Sequence, residues 1–134
     1  MNRNEILNTL NKYDLDTSSF IIISGSAMVL YGFKDETDDI DIAVTKDYYD
    51  RLFTTFNPTL EKHFEDRNDA YMIDGIINFS TNFYSENSVQ ISNYRVQTIE
   101  ELIKLKEGLN REKDKLELKL IRGINEKYWN RKNL

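Results

Sequence analysis

The sequence contains no cysteine, one proline and a single histidine. Without cysteine the chain has no disulfide, no thiolate metal site and no thiol nucleophile. His63 has no second histidine with which to share a metal ion or a catalytic triad, so we expect it to be structural or exposed. A chain without disulfides also suits a reducing compartment such as the cytoplasm.

Long apolar segments are also missing. The run at residues 20–23 is far shorter than the roughly 20 residues of a transmembrane helix. The first 16 residues are polar and charged, without the apolar centre of a secretory signal peptide. We therefore expect a soluble, cytoplasmic protein with no membrane association.

Basic residues are scarce in the first 97 positions. This part contains 8 Lys and Arg against 16 Asp and Glu, whereas residues 98–134 contain 10 against 7. Broad nucleic-acid binding needs basic side chains that neutralise phosphates, which argues against that function for the acidic part. A metal ion or a basic partner suits the acidic part better.

Hydrophobic periodicity predicts alternating helices and strands, and hence a mixed α/β or α+β domain. The predicted helices cover residues 3–12, 25–32, 46–55, 98–107 and about 111–129. The predicted strands cover residues 20–24, 39–44, 70–73, 76–79, 89–91 and 94–97. We expect a single domain over residues 1–134, with a core at about 18–97 and a C-terminal helical part at about 98–131.

Local signals mark several of these boundaries. Asp74 and Gly75 are typical of a tight turn or a bulge. Thr98 and Glu101 have the spacing of a capping box. In the last helix, one apolar face is predicted from residues spaced four apart, namely Leu116, Leu120, Ile124 and Tyr128.

The segment from residue 24 to residue 43 contains the candidate residues for phosphate and metal binding. A strand leads into Gly25 and Ser26, where the N-terminus of a helix offers free N–H groups to a phosphate. Asp39 and Asp41 follow, two residues apart on a strand, so both carboxylates point to one face. Paired carboxylates repel unless a cation joins them, and Mg²⁺ with substrate phosphates is the usual solution. The alternative is an ordinary strand-to-helix turn followed by an exposed acidic strand.

Gly25-Ser26, a gap of twelve residues and Asp39-Ile40-Asp41-Ile42 together resemble the signature of the nucleotidyltransferase superfamily. Residues 20–45 look especially like small bacterial members, including antitoxin-type proteins. The resemblance implies a nucleotidyltransferase-like fold, a small mixed sheet flanked by helices with further helices at the C-terminus. It also implies transfer of a nucleoside monophosphate from a nucleoside triphosphate to a hydroxyl on a protein, a small molecule or RNA.

The same resemblance implies roles for individual residues. Asp39 and Asp41 would hold Mg²⁺ or Mn²⁺, and Gly25 and Ser26 would bind the β- and γ-phosphates. Residues 98–118 resemble the Lys-Asp helix that ends many relatives, which makes Lys106 and Lys113 candidates for nucleotide binding. Charged residues on a helix more often simply face solvent, so this alternative stays open for both lysines.

Two positions depart from the family pattern. A third carboxylate is common on a following strand, but the sequence offers Asn78 there, with Asp74 four residues earlier as a possible substitute. Asp35 stands where many relatives carry a basic residue, and Lys34 is its neighbour. These departures favour an alternative function, a catalytically reduced member that binds a partner such as a cognate toxin. We expect Tyr48, Tyr49 and Trp129 to lie in a core or an interface.

Overall fold

The structure, a computed structural model, describes the backbone of residues 1–60 and 69–132 and the side chains up to residue 123. His63 lies outside the described residues, as do the side chains of Ile124, Tyr128 and Trp129. The helices are α1 (Arg3–Tyr13), α2 (Ser24–Tyr31), α3 (Lys46–Phe56), α4 (Ile99–Leu109) and α5 (Glu112–Lys132). The strands are β1 (Phe20–Ile22), β2 (Ile40–Val44), β3 (Thr59–Leu60), β4 (Tyr71–Ile73), β5 (Ile77–Ser80), β6 (Val89–Ile91) and β7 (Tyr94–Val96).

The described strands form one mixed sheet in the order β3-β4-β5-β2-β1-β7-β6. β2 runs antiparallel to β1 and parallel to β5, and β1 runs parallel to β7. In the β2–β5 pair, Asp41 stands opposite Asn78. The predicted mixed α/β class is confirmed, and the acidic strand lies inside the sheet rather than at its edge.

The two faces of the sheet are covered by different helices. Ile40 and Ile42 of β2 join a core with Ile6 of α1 and Leu52 of α3. Ala43 instead packs with Leu105 of α4. Since successive side chains of a strand point to opposite faces, Asp39 and Asp41 lie on the α4 side of the sheet.

The second helix begins one residue earlier than the sequence predicts. Ser24 is its first residue, after an extended N-cap at Ile23. Ser24 has a φ of 54°, an unusual value for a non-glycine residue that turns the chain sharply out of β1. Thr98 caps α4 as expected, because its hydroxyl accepts a hydrogen bond from the backbone N–H of Glu101 at 3.2 Å.

The apolar face predicted for the last helix is wrong for the residues whose side chains are described. Leu116 is 62% exposed and Leu120 is 45% exposed. The inward face carries Leu118 and Ile121 together with two acidic residues, Asp114 and Glu117, all four of them buried. The hydrophobicity pattern did not identify this face, because acidic residues are normally taken to face solvent.

Asp74 and Gly75 both have positive φ values, 53° and 68°, in the tight connection between β4 and β5. The turn predicted at this dipeptide is therefore confirmed. Within the described part of the chain, no helix is both long enough and apolar enough to cross a membrane.

Candidate functional site

A cleft of about 460 Å³ opens between the start of α2, the β2–β5 pair and the α4–α5 hairpin. Its polar lining consists of Ser24, Gly25, Lys34, Thr37, Asp38, Asp39, Asp41, Asn78, Ser80, Arg111 and Lys113. Its apolar lining consists of Ile23, Ile42, Ala70, Phe83, Leu105 and Leu109. Five of the residues proposed from sequence therefore meet in one place: Gly25, Asp39, Asp41, Asn78 and Lys113.

The acidic pair and the amide come together through strand register. Asp41 and Asn78 are opposite each other on parallel strands, whose axes are about 4.8 Å apart in a sheet. Asp39 precedes β2 and lines the same cleft. Among residues 1–60 and 69–132, no group of three or more acidic, histidine or cysteine side chains is placed to hold a metal ion. The oxygen donors in the cleft thus include two carboxylates and one amide at the positions singled out from sequence.

Asp74, the expected substitute for a third carboxylate, does not line this cleft. Its carboxylate accepts a hydrogen bond of 2.6 Å from the hydroxyl of Tyr13 in α1, and this bond raises the pKa of Tyr13. The expectation assumed a continuous strand from Asp74 to Asn78. The turn at Asp74 interrupts that strand, so the carboxylate contacts α1.

Ser26 was expected to bind phosphate, but its side chain is fully buried. Its hydroxyl donates to the carbonyl of Asp39 at 3.1 Å and accepts from the N–H of Asp41 at 2.9 Å. Through these hydrogen bonds to the backbone of Asp39 and Asp41, Ser26 connects α2 to the two residues and helps to fix their position. Ser24, two residues earlier, lines the cleft instead.

Gly25 marks the closest approach of α2 to the loop before β2. A Cβ atom at this position would lie 2.8 Å from Oγ1 of Thr37 and 3.4 Å from Nζ of Lys34. The first of these contacts is shorter than van der Waals contact allows. The glycine thus keeps backbone N–H groups accessible between α2 and two polar side chains of the cleft.

Lys106, a predicted nucleotide contact, is buried behind the cleft rather than lining it. Its ammonium lies 3.2 Å from Oγ of Ser24, 3.5 Å from Oδ1 of Asp114 and 3.4 Å from Oε2 of Glu117. Burial lowers the pKa of Lys106, against the opposing effect of the two carboxylates. The contact with Ser24 ties the helical hairpin to the start of α2, so Lys106 can position the cleft without touching a ligand.

Arg111 is a cleft residue that the sequence prediction did not assign to nucleotide binding. Its guanidinium donates to both carboxylate oxygens of Asp114, with distances of 2.6 and 3.1 Å. This bond is the main reason that the pKa of Arg111 is raised, and the charge of Asp41 contributes too. Arg111 directly precedes α5, where Asp114 of the first turn of α5 holds its guanidinium, and the charge of Asp41 acts on it. The sequence signal that could have identified Arg111 is that an acidic residue, Asp114, follows three positions later.

Asp114 is the acidic centre of the hairpin. Burial acts to raise its pKa, but hydrogen bonds from Arg111 and the charge of Lys106 outweigh this effect and lower it. Nearby, Glu117 joins Lys106 to Lys34 of the cleft, whose Nζ is 3.4 Å from Glu117. Three cationic side chains, Lys34, Arg111 and Lys113, therefore surround the cleft that contains the acidic pair.

Two of the aromatic residues considered from sequence are structural. Tyr48 is buried, and Tyr49 packs against Phe53 and Phe79, with ring centroids 5.1 and 5.5 Å away. Both tyrosines were expected in a core or an interface, and the structure places Tyr48 in the main core and Tyr49 against it. Phe83, which sequence reasoning passed over, is the aromatic residue in the described cleft lining.

Comparison with known proteins finds no matching family model, no matching curated protein and no matching solved structure. The interpretation of the cleft therefore depends on its own chemistry.

Proposed function

We propose that this chain binds a nucleoside triphosphate with a divalent cation and transfers the nucleotidyl group to a hydroxyl acceptor. The observation that carries the proposal is one cleft that combines a helix N-terminus at Ser24 and Gly25, the oxygens of Asp39 and Asp41, and the cations Arg111 and Lys113. Nucleotidyl transfer needs these three features next to one another. The nucleotidyltransferase-like fold suggested by the sequence resemblance is part of the same proposal.

The donor set of the cleft fits a hard cation. Asp39, Asp41 and Asn78 offer carboxylate and amide oxygens, the ligands that Mg²⁺ and Mn²⁺ prefer. A bound cation would neutralise negative charge on the phosphate oxygens and orient them for attack. Asp39 and Asp41 would be its charged ligands, and Asn78 would add a neutral oxygen.

The triphosphate is assigned to the part of the cleft between the start of α2 and the cations Arg111 and Lys113. The N–H of Ser24 donates to Oε1 of Gln97 at 3.1 Å. The N–H groups of Gly25 and Ser26 are therefore the remaining donors of the first turn that have no partner inside the helix, at the positive end of its dipole. Gly25 leaves room for close approach, while Lys34, Arg111 and Lys113 supply positive charge. Phosphate binding at such a helix N-terminus is a recurrent arrangement in proteins.

In the proposed reaction, the hydroxyl oxygen of the acceptor attacks the α-phosphorus and forms a new P–O bond. The bond from that phosphorus to the bridging oxygen breaks, and pyrophosphate leaves with its electron pair. The proton of the hydroxyl passes to solvent or to a carboxylate of the cleft. Arg111, which lines the cleft, would stabilise the charge that develops on the phosphoryl oxygens. The acceptor is a protein, a small molecule or an RNA end.

One observation favours a second candidate function. Asn78 stands opposite Asp41 on β5, at the position where a third carboxylate would be expected. A neutral amide cannot act as a base or add charge. The alternative is a catalytically reduced protein that acts by binding a partner, as in a toxin–antitoxin pair. Pyrophosphate release in the presence of nucleotide distinguishes transfer from binding alone.

Calorimetric binding of ATP, GTP, CTP and UTP, each with Mg²⁺ or Mn²⁺, tests the proposal. We expect at least one nucleotide to bind only with the metal, and the double variant Asp39→Asn/Asp41→Asn to lose that binding. Asp35→Asn is the matched control, because Asp35 is exposed and outside the cleft lining. A folded wild-type protein that binds no nucleotide at millimolar concentration would refute the proposal.

A further inference from the structure

The cleft has a polar end and an apolar end. Gly25, Lys34 and Thr37 meet beside the loop that leads into β2. At the other end of the β2–β5 pair, Ala43 stands opposite Ser80, the last residue of β5. Phe83 follows three residues after Ser80 and also lines the cleft. The direction of the two strands thus separates Gly25, Lys34 and Thr37 from Phe83.

Two leucines of α4 complete the apolar end. Leu105 and Leu109 line the cleft and are four residues apart, on one face of the helix. Leu105 packs with Ile23 and Ala43 in a buried cluster that Leu109 borders. The two leucines therefore pack against the sheet, and Leu105 lines both the cleft and a second cavity together with Phe83.

Phe83 has two unusual properties for a phenylalanine. Its side chain is 41% exposed, and its φ of 68° places the backbone in the left-handed region. A bulky residue seldom adopts this conformation, and such strained positions concentrate at ligand-binding sites. The residue also borders a second cavity of about 310 Å³.

We propose that Phe83 is the stacking platform for the base of the nucleotide, with Leu105 and Leu109 enclosing the other side. The inference rests on the proposed function, which assigns the triphosphate to the cationic end of the same cleft. An aromatic ring stacks on any base, and the larger purine ring gains more contact than a pyrimidine. The site is therefore built for purine nucleoside triphosphates, selected by ring size through stacking on Phe83.

Binding of ATP, CTP and inorganic tripolyphosphate, each with Mg²⁺, to wild type and Phe83→Leu tests the inference. Leucine keeps apolar volume but has no aromatic face. We expect ATP to bind about 5-fold to 100-fold more weakly to the variant, with tripolyphosphate unchanged. Phe83→Trp should retain ATP binding. Val89→Ala is the matched control, since Val89 is 40% exposed and lies on β6, outside the cleft lining.

The outcomes separate this inference from the proposed function. ATP affinity that is the same in Phe83→Leu as in wild type overturns the stacking role, and so does an equal loss of ATP and tripolyphosphate. Tighter binding of CTP than of ATP by wild type overturns the purine preference. If wild type binds neither ATP nor tripolyphosphate, the proposed function fails, and the inference fails with it.

Discussion

At the scale of single residues, Gly25 sets how closely α2 can approach the loop before β2. Its replacement by alanine would place a Cβ atom 2.8 Å from Oγ1 of Thr37. We expect Gly25→Ala to lower the free energy of unfolding by about 1–3 kcal/mol, because overpacking forces neighbouring atoms to move. Nucleotide binding should weaken as well, since the new methyl group occupies the phosphate approach. Urea unfolding and calorimetry measure the two effects.

A second substitution separates the steric effect from the binding effect. Thr37→Ala removes the clashing oxygen. The double variant Gly25→Ala/Thr37→Ala should therefore regain most of the lost stability but not the affinity for nucleotide. Gly123→Ala is the control, because a Cβ atom there meets nothing within 4 Å and alanine favours a helix over glycine by about 1 kcal/mol. Unchanged stability in Gly25→Ala would contradict the steric account.

Asp16 gives the clearest dependence on pH at this scale. Hydrogen bonds from Ser18 and Ser19 lower the pKa of Asp16 from 3.8 to about 2. Because the folded pKa is below the unfolded one, the stabilisation is complete above about pH 4 and is lost as the pH falls towards 2. After allowance for solvent screening, we expect Asp16→Asn to be about 1 kcal/mol less stable than wild type at pH 7.

Chemical denaturation at several pH values checks this expectation. The stability of Asp16→Asn should fall less steeply than that of wild type between pH 4 and pH 2, since the variant has no carboxylate to protonate at this position. Equal slopes for the two proteins would show that Asp16 does not contribute to the acid sensitivity.

Residue types and spacing predicted some members of the cleft better than others. Asp39 and Asp41 were placed on one face because alternation along a strand determines the direction of a side chain. Ser26 and Lys106 were proposed because their residue types suit phosphate binding, whereas the structure buries both and gives them partners within the protein. A sequence does not show which polar groups another element will cover.

At the scale of elements, the α4–α5 hairpin depends on a buried ion pair. Lys106 and Asp114 are both almost fully buried, 3.5 Å apart. We expect Lys106→Met and Asp114→Asn each to destabilise the fold by about 2–4 kcal/mol, because each leaves a buried charge with fewer partners. The double variant should lose about 1–3 kcal/mol less than the sum of the single variants.

Urea unfolding of the four proteins in this double-mutant cycle measures the coupling energy. Lys115→Met is the control, since the pair of Lys115 with Glu112 is exposed and such pairs contribute less than about 1 kcal/mol. Additive effects of Lys106→Met and Asp114→Asn would mean that the two charges do not stabilise each other.

The ion pair between Lys106 and Asp114 also explains why the inward face of α5 was predicted wrongly. The first half of the helix contains two apolar pairs at helical spacing, Leu116 with Leu120 and Leu118 with Ile121. Hydrophobic periodicity alone does not show which of the two pairs faces the core. Leu118 and Ile121 face inward because Asp114 and Glu117 on that side meet Lys106 of α4, a pairing between helices that local spacing does not contain.

At the scale of the whole molecule, the C-terminal helices and the sheet are parts of one packing unit. Met28 of α2 shares a buried cluster with Leu102 of α4 and Ile121 of α5, and Lys106 reaches Ser24. We expect thermal unfolding in a single transition, with coincident far-UV and near-UV circular dichroism curves. Separate transitions for helix content and tertiary packing would show that the hairpin unfolds independently.

The arrangement of the strands was the least predictable property at this scale. Most strands were located from short apolar runs, but their order in the sheet follows from pairings distant in sequence, such as β2 with β5 and β1 with β7. The two-residue strand β3 was not predicted. Its two residues, Thr59 and Leu60, are too few to form an alternating or continuous apolar pattern.

Two of the three cleft cations lie far from the acidic pair in sequence. Asp39 and Asp41 are translated well before Arg111 and Lys113. During synthesis, the nascent chain therefore presents its carboxylates with Lys34 but before it has Arg111 and Lys113. Premature termination anywhere before residue 98 would release a product without Arg111, Lys113 or α4. The proposed nucleotide binding is thereby restricted to chains that have been translated at least as far as Lys113.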